Sequence, residues 1–228
     1  VVRELEDYFE GLHLLEKINH PDAAGQLLYD YLRGDKINKD TSKAFEIAIK
    51  MADAGFPSFQ NAVASEYSST NGDTNLYNLE KGKYYYKLSG EGGEPKSYLS
   101  LGFLSLDEKK IAEAEKYFKL AANRNVPEAG FQFAILNIQK GNIETGLKYL
   151  IDASDFGHLP SICQLGYLYL YGKGVKKDIK KALEFIETGA AGGDGQCLFN
   201  LSYAYRYGLG VEKSDLKALD FMEKSEKT

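Results

Sequence analysis

The chain has no tryptophan, two cysteines, five prolines and three histidines in 228 residues, and each scarcity excludes something. Cys163 and Cys197 have no Cys-x-x-Cys spacing and no histidine beside them in a ligand pattern, while His13, His20 and His158 are scattered singly. A metal site is therefore not expected. The two cysteines read as buried thiols in helices, able to pair only if the fold brings them together, and they do not settle the compartment. No apolar run approaches the length that crosses a bilayer, and Val1 to Asp7 does not read as a signal peptide, so membrane insertion by this segment is not expected. The net charge of −5 lacks the basic excess that binding to a nucleic-acid backbone demands. Gly-x-Ser-x-Gly, His-Glu-x-x-His and a cysteine with a plausible histidine partner are also missing. The reading is accordingly of a non-enzyme, with no catalytic residue and no cofactor assigned.

What is present is aromatic and periodic. There are 17 Tyr and 12 Phe, wide side chains suited both to helix packing and to interface surfaces. Two stretches align without gaps at an offset of 36, Leu165 to Val175 and Leu201 to Val211, and the match continues through Lys181-Ala182-Leu183 and Lys217-Ala218-Leu219. A second ruler runs small residue, large apolar residue three later, small residues seven and eight later, and Gly eleven later. Ala182, Phe185, Gly189, Ala190 and Gly193 fit it, as do Gly146, Tyr149, Ala153, Ser154 and Gly157. Ala114 leads a copy that ends on Asn125 in place of Gly, and Gly82 leads another. The first copy starts at Ala44 and carries Met51 as its one large intruder; the last starts at Ala218 and runs out. Leading positions 44, 82, 114, 146, 182 and 218 make six copies, spaced by 38, 32, 32, 36 and 36 residues.

Offsets of three, four, seven and eight put the marked residues on one helical stripe, where small side chains let a neighbouring helix approach. The closing Gly or Asn suits a left-handed helix cap, and Pro57, Pro95, Pro127 and Pro160 suit the first turn of the next helix. Each copy is thus a helix hairpin that must stack on its neighbours to bury both faces. The expected fold is all-α, a right-handed α-α superhelix of about six hairpins. Residues 1–20 form an N-terminal helix belonging to a preceding repeat or cap, with Leu5, Tyr8, Phe9 and Leu12 on one face. The units are expected at about 21–56, 57–93, 94–125, 126–157, 158–193 and 194–228, the last truncated. Both ends read as cut from a longer protein.

The run Leu165-Gly166-x-x-Tyr169-x-x-Gly172-x-Gly174-Val175, followed by Asp178, Lys181-Ala182, Phe185 and Ala190, resembles the Sel1-like repeat, a relative of the tetratricopeptide repeat with a longer loop inside the hairpin. Leu201 to Phe221 is nearly as good, and Gly34, Ile37, Asp40, Lys43 and Ala44 keep the outline. The copies over 95–125 and 127–157 lack the Gly-x-Gly-Val loop and look closer to compact tetratricopeptide hairpins. The resemblance implies scaffolding: an adaptor that binds a protein or peptide partner on the concave face of the solenoid, within a larger complex that includes membrane-associated ones. It selects no compartment among cytoplasm, endoplasmic-reticulum lumen and bacterial periplasm or exterior.

The sharper motifs have plainer readings. A third glycine for a dinucleotide loop would fall at Lys177 and Lys213, so Gly172-x-Gly174 and Gly208-x-Gly210 read as turns. Lys173, Lys176, Lys177, Lys180 and Lys181 read as a solvated loop and helix start. Glu113 and Glu115 read as exposed helical carboxylates, and the sequon Asn200-Leu201-Ser202 falls in a packed helix. Tyr169 and Tyr205 occupy the repeat's own packing position. Tyr167, Tyr171, Tyr203 and Tyr207 flank them by two residues and, with Arg206, form the candidate partner-binding patch, a composition favoured at hot spots. The alternatives kept beside the scaffold are a regulatory subunit or activator of an enzyme complex, a hydrolase acting on cell-wall or glycan substrates, and self-association through exposed end faces.

Overall fold

The structure, a computed structural model, describes residues 2–70 and 76–228. Leu5, in the face proposed for the first helix, lies outside the residues whose side chains are described. Among the described residues there are thirteen α-helices and no strand. They fall into two compact units, Val1–Ala114 and Glu115–Thr228.

The first unit holds α1 (Val2–Lys17), α2 (Pro21–Arg33), α3 (Thr41–Asp53), α4 (Pro57–Ser68), α5 (Leu79–Glu91) and α6 (Lys96–Asp107). Helix α7 (Ile111–Ala122) begins in it and ends in the second unit, which adds α8 (Pro127–Gln139), α9 (Ile143–Asp155), α10 (Leu159–Tyr171), α11 (Ile179–Ala191), α12 (Gly195–Tyr207) and α13 (Asp215–Ser225). The even-numbered helices lead the hairpins and the following odd-numbered ones return, and within the units α2/α3, α4/α5, α8/α9, α10/α11 and α12/α13 pack as pairs, five of the six expected copies.

The sequence rules that set these boundaries act as expected. Gly55, Gly93, Gly157 and Gly193 end their helices at positive φ, and Asn125 does the same at φ 59°. Pro57 and Pro127 open α4 and α8, whereas Pro95 stands one place earlier, as the residue preceding α6. In the long hairpins the return helix starts on a side-chain cap: Asp40, Asn78 and Asp178 each accept the N–H three residues on at 3.0 Å. Ser214 caps α13 in the same way at 3.3 Å. The residue whose N–H is capped is always lysine, and its ammonium returns over a leading-helix tyrosine: Lys181 stands 4.3 Å from the centre of Tyr169 and Lys217 4.9 Å from that of Tyr205. Those two rings stack on Phe185 and Phe221 at 6.0 and 5.6 Å, which confirms both tyrosines as packing residues.

The Gly-x-Gly loops are turns with a packing reason. Gly174 has φ 74°, and a Cβ there would stand 2.5 Å from Ile143 Cγ2 at the start of the preceding return helix; Gly210 has φ 70° and meets Ile179 Cγ2 at 2.6 Å. No side chain fits between loop and helix. The compact hairpins instead turn on Lys109 and Gly141, both at positive φ. The core of the second unit runs through fully buried Leu150, Leu165 and Ile186, with Ala134, Ala182 and Ala204 allowing the helices to close on one another.

Candidate functional site

The leading helices of the second unit carry one stripe of residues spaced three and four apart: Pro160, Gln164, Tyr167 and Tyr171 on α10, then Gln196, Asn200, Tyr203 and Tyr207 on α12. Four of the five residues expected at the partner surface belong to it. Tyr167 and Tyr171 pair at 4.9 Å between ring centres, and Tyr203 and Tyr207 at 4.5 Å, both tilted. Tyr171, Tyr203 and Tyr207 are exposed. Burial, and then the neighbouring Tyr203 and Tyr167, push the Tyr171 hydroxyl above its ordinary pKa. Lys173 donates to the Tyr167 hydroxyl and also lies 4.8 Å from the centre of that ring, fixing the tyrosine at the mouth of the loop. Arg206 is exposed in the last turn of α12, one residue before Tyr207 and off the stripe.

Below the tyrosines the stripe becomes polar and concave. A pocket of about 390 Å³ opens where α8, α10 and α12 meet, with Phe131, Pro160 and Tyr167 as apolar walls and Gln164, Gln196, Asn200 and Asp194 as polar ones. Asn200 is only 6 % exposed; its Oδ1 accepts from Gln196 Nε2 at 3.3 Å, and its Nδ2 is buried with no hydrogen-bond partner. Gln164, across from it, has no side-chain hydrogen bond among the described residues. In the two other copies that carry an amide at this position it is already engaged. Gln132 donates to Glu128 at 2.8 Å and Gln26 to Asp30 at 3.0 Å, each within its own helix.

The pocket's lower edge is chemically distinct. Cys163 and Cys197 are joined as a disulfide with Cα atoms 5.4 Å apart, and among the described residues no cysteine is free. The expectation of two separate buried thiols is thereby corrected: spacing along the chain hid that α10 and α12 place these positions side by side. Asp194 caps α12 by accepting the Cys197 N–H at 2.9 Å, and its Oδ1 lies 3.0 Å from Cys163 Sγ. With both sulfurs reduced, the three side chains would present two thiolates and a carboxylate within 4.8 Å of one another, a set able to hold a metal ion.

Two other groups complete the face. His158 caps α10 and meets Glu128 on α8, Nε2 to Oε2 at 2.9 Å; that contact, ahead of the opposing effect of burial, holds the Glu128 carboxyl below its usual range. Glu115 is half-buried rather than exposed, accepting from Lys140 at 2.5 Å and from Asn137 at 3.2 Å. A further cavity of about 450 Å³ lies among α7, α8 and α9, but the Tyr149 hydroxyl there already donates to Asn123 at 2.8 Å. None of these groups forms an acid–base pair at a reactive distance inside the Asn200 pocket.

The family follows from the hairpins just described. The Sel1 repeat profile matches residues 24–56, 57–94, 100–126, 159–194 and 195–227. The chain belongs to the Sel1 repeat family. Residues 127–158, one of the compact hairpins, lie between matched repeats, while the other, at 100–126, does match. A Sel1 repeat protein from Oxalobacter formigenes shares the fold at a TM-score of 0.77 and 24% identity, covering 100% of this chain and 99% of that one. A protective antigen of uropathogenic Escherichia coli with an SLR fold gives 0.82 at 20% identity over 98% of this chain, which spans 49% of that protein. An immunity protein from Pseudomonas aeruginosa gives 0.52 at 18% identity, covering 93% of this chain and 83% of that one. At these identities the likeness establishes the fold alone. No protein of curated function matches the chain significantly. Sel1 repeats generally mediate protein–protein interaction, and no described helix is long and apolar enough to cross a membrane.

Proposed function

We propose that the chain is a non-enzymatic adaptor, and that the stripe on α10 and α12 receives an extended segment of a protein partner. The observation that carries this reading is Asn200: a buried amide donor left without an acceptor costs roughly 1–3 kcal/mol, so a ligand that brings one recovers it. A peptide main chain offers carbonyls at regular intervals. Asp194 and Glu128 make the surroundings acidic, which favours a neutral carbonyl over a carboxylate in that place. The segment's side chains would then rest against Phe131 and Tyr167 in the pocket and against the exposed tyrosines above it. Sel1 repeats supply the framework, and the absence of a convergent acid and base in the pocket supports a holding role over a hydrolytic one.

The test is a selection of random peptides displayed against the native chain, followed by affinity measurements on variants. Asn200→Leu and Tyr167→Ala are each expected to weaken the selected peptides at least about tenfold, and Tyr203→Ala less, as the alanine losses of central and rim residues differ. Arg206→Ala is expected to change little. Peptides that bind all four variants as tightly as the native chain would remove the pocket from consideration.

A further inference from the structure

The Cys163–Cys197 pair occupies a junction that the first unit builds without sulfur. Cys163 lies six residues after Gly157 and Cys197 four after Gly193; at the same offsets from Gly55 and Gly93 stand Asn61 and Ser97. Ser97 Oγ donates to Asn61 Oδ1 at 2.9 Å, so a hydrogen bond joins consecutive leading helices there, where a disulfide does in the second unit. The residue beneath also corresponds. Ser89 on α5 bonds Ser97 at 2.8 Å, and Gly189 on α11 takes its place, with no room for a methyl group: a Cβ there would overlap Cys197 Sγ and sit 3.3 Å from Cys163 Sγ.

We propose that Cys163 and Cys197 form a reversible thiol–disulfide site rather than a permanent staple. The first unit demonstrates that this junction packs without a covalent bond, so the helices need not part when the bridge opens. The opened state is provided for as well. Asp194 Oδ1, 3.0 Å from Cys163 Sγ, is the acceptor that a Cys163 thiol would use. Access is narrow and one-sided: Cys163, 3 % exposed, borders the pocket, while Cys197 is wholly buried. An incoming thiolate from a small-molecule thiol or a dithiol reductant would therefore attack Cys163 Sγ, form a mixed disulfide with it and release Cys197 as thiolate, which takes up a proton. A second reductant thiolate then attacks the reductant's own sulfur in that mixed disulfide, freeing Cys163. Overall two reductant thiols become one reductant disulfide, and the chain gains two S–H groups; a small-molecule disulfide such as oxidised glutathione reverses the sequence. The bridge ties α10 to α12, the helices that carry Gln164 and Asn200 on facing sides of the pocket. The chemistry stands whether or not that pocket binds a partner.

The native chain is equilibrated across ratios of reduced to oxidised glutathione and read by circular dichroism, then quenched in acid, alkylated in denaturant and weighed by mass spectrometry. The expected result is a single transition from no alkylated cysteine to two, helicity being retained on both sides and in Cys163→Ser/Cys197→Ser. Four outcomes would overturn the proposal: two alkylated thiols at every ratio, none at any ratio, a bridge that opens only when helicity is lost, or thiols that a stoichiometric amount of Zn²⁺ keeps reduced at ratios where the bridge otherwise forms. The last would make the trio with Asp194 a metal site instead. Affinity for a selected peptide, read in the same samples, reports separately on the pocket and has no bearing on the state of the cysteines.

Discussion

In the first unit a serine, a serine and an asparagine knot two successive leading helices together through hydrogen bonds; in the second a cysteine, a glycine and a cysteine hold the same three positions through a disulfide. The backbone geometry of a repeat thus specifies which positions meet and leaves open the chemistry by which they are joined. The polar knot uses up its groups, since Ser89 and Ser97 find partners in each other and in Asn61 and the Pro57 carbonyl. The sulfur knot engages only Asp194, through the Cys197 N–H and the Cys163 sulfur. Gln164 and Asn200 remain to line a pocket. The difference between the units is therefore also a difference between a junction that only packs and one that borders an open pocket.

Substitution can break that comparison at several depths. Cys163→Ser/Cys197→Ser removes a link between residues 34 apart in sequence and should lower stability to denaturant by roughly 2–4 kcal/mol, the range for closing a loop of that size. Gly189→Val forces a branched side chain onto both sulfurs and should cost about 1–3 kcal/mol, read as a lower melting temperature with helicity intact below it. In the first unit Ser97→Ala leaves Asn61 Oδ1 without its hydroxyl donor, Ser89 keeping the Pro57 carbonyl, and should cost roughly 1–2 kcal/mol. If Ser97→Ala proves as costly as the loss of both cysteines, the hydrogen-bonded junction is as strong as the covalent one and the contrast between the units fails.

The smallest effect concerns acid. Glu128 has its pKa lowered in the folded state by His158, so its contribution is present above the unfolded glutamate value and fades as pH falls through the folded one. Its side chain is 40% exposed, so the contact is worth roughly half a kcal/mol at most. Melting curves of the native chain and Glu128→Gln should differ near neutrality and converge as the pH is brought below about 4. A difference that persists unchanged at low pH would show that the variant perturbs packing instead.

How much of this can be read from residues alone depends on the kind of interaction. Helix hairpins are legible because a periodic stripe and an αL glycine at a fixed offset are local signals, and Asn125 can be recognised as a stand-in for that glycine on the same basis. The tyrosine strip is legible for the same reason, as the flank of the Tyr169 and Tyr205 packing positions. What stays hidden is contact between copies. Cys163 and Cys197 sit at different offsets in their repeats, six and four residues past the capping glycine, and only the lateral packing of α10 on α12 brings them together. Glu115 reads as surface until Lys140 and Asn137 arrive from the next hairpin. Asn200 reads in sequence as part of a sequon buried in a packed helix. The recurring amide at Gln26, Gln132, Gln164 and Asn200 is the available signal, and its meaning depends on which of those amides already has a partner.

That dependence supplies the most direct test. The side-chain amide resonances of Asn200 and Gln26, at the same position of repeats in different units, can be followed by nitrogen–proton correlation while a selected peptide is titrated in. The Asn200 signals should move to the downfield shifts of a newly bonded amide, with Gln26 unchanged because Asp30 already holds it. Saturated binding that leaves the Asn200 signals in place would contradict the assignment of this pocket as the partner site.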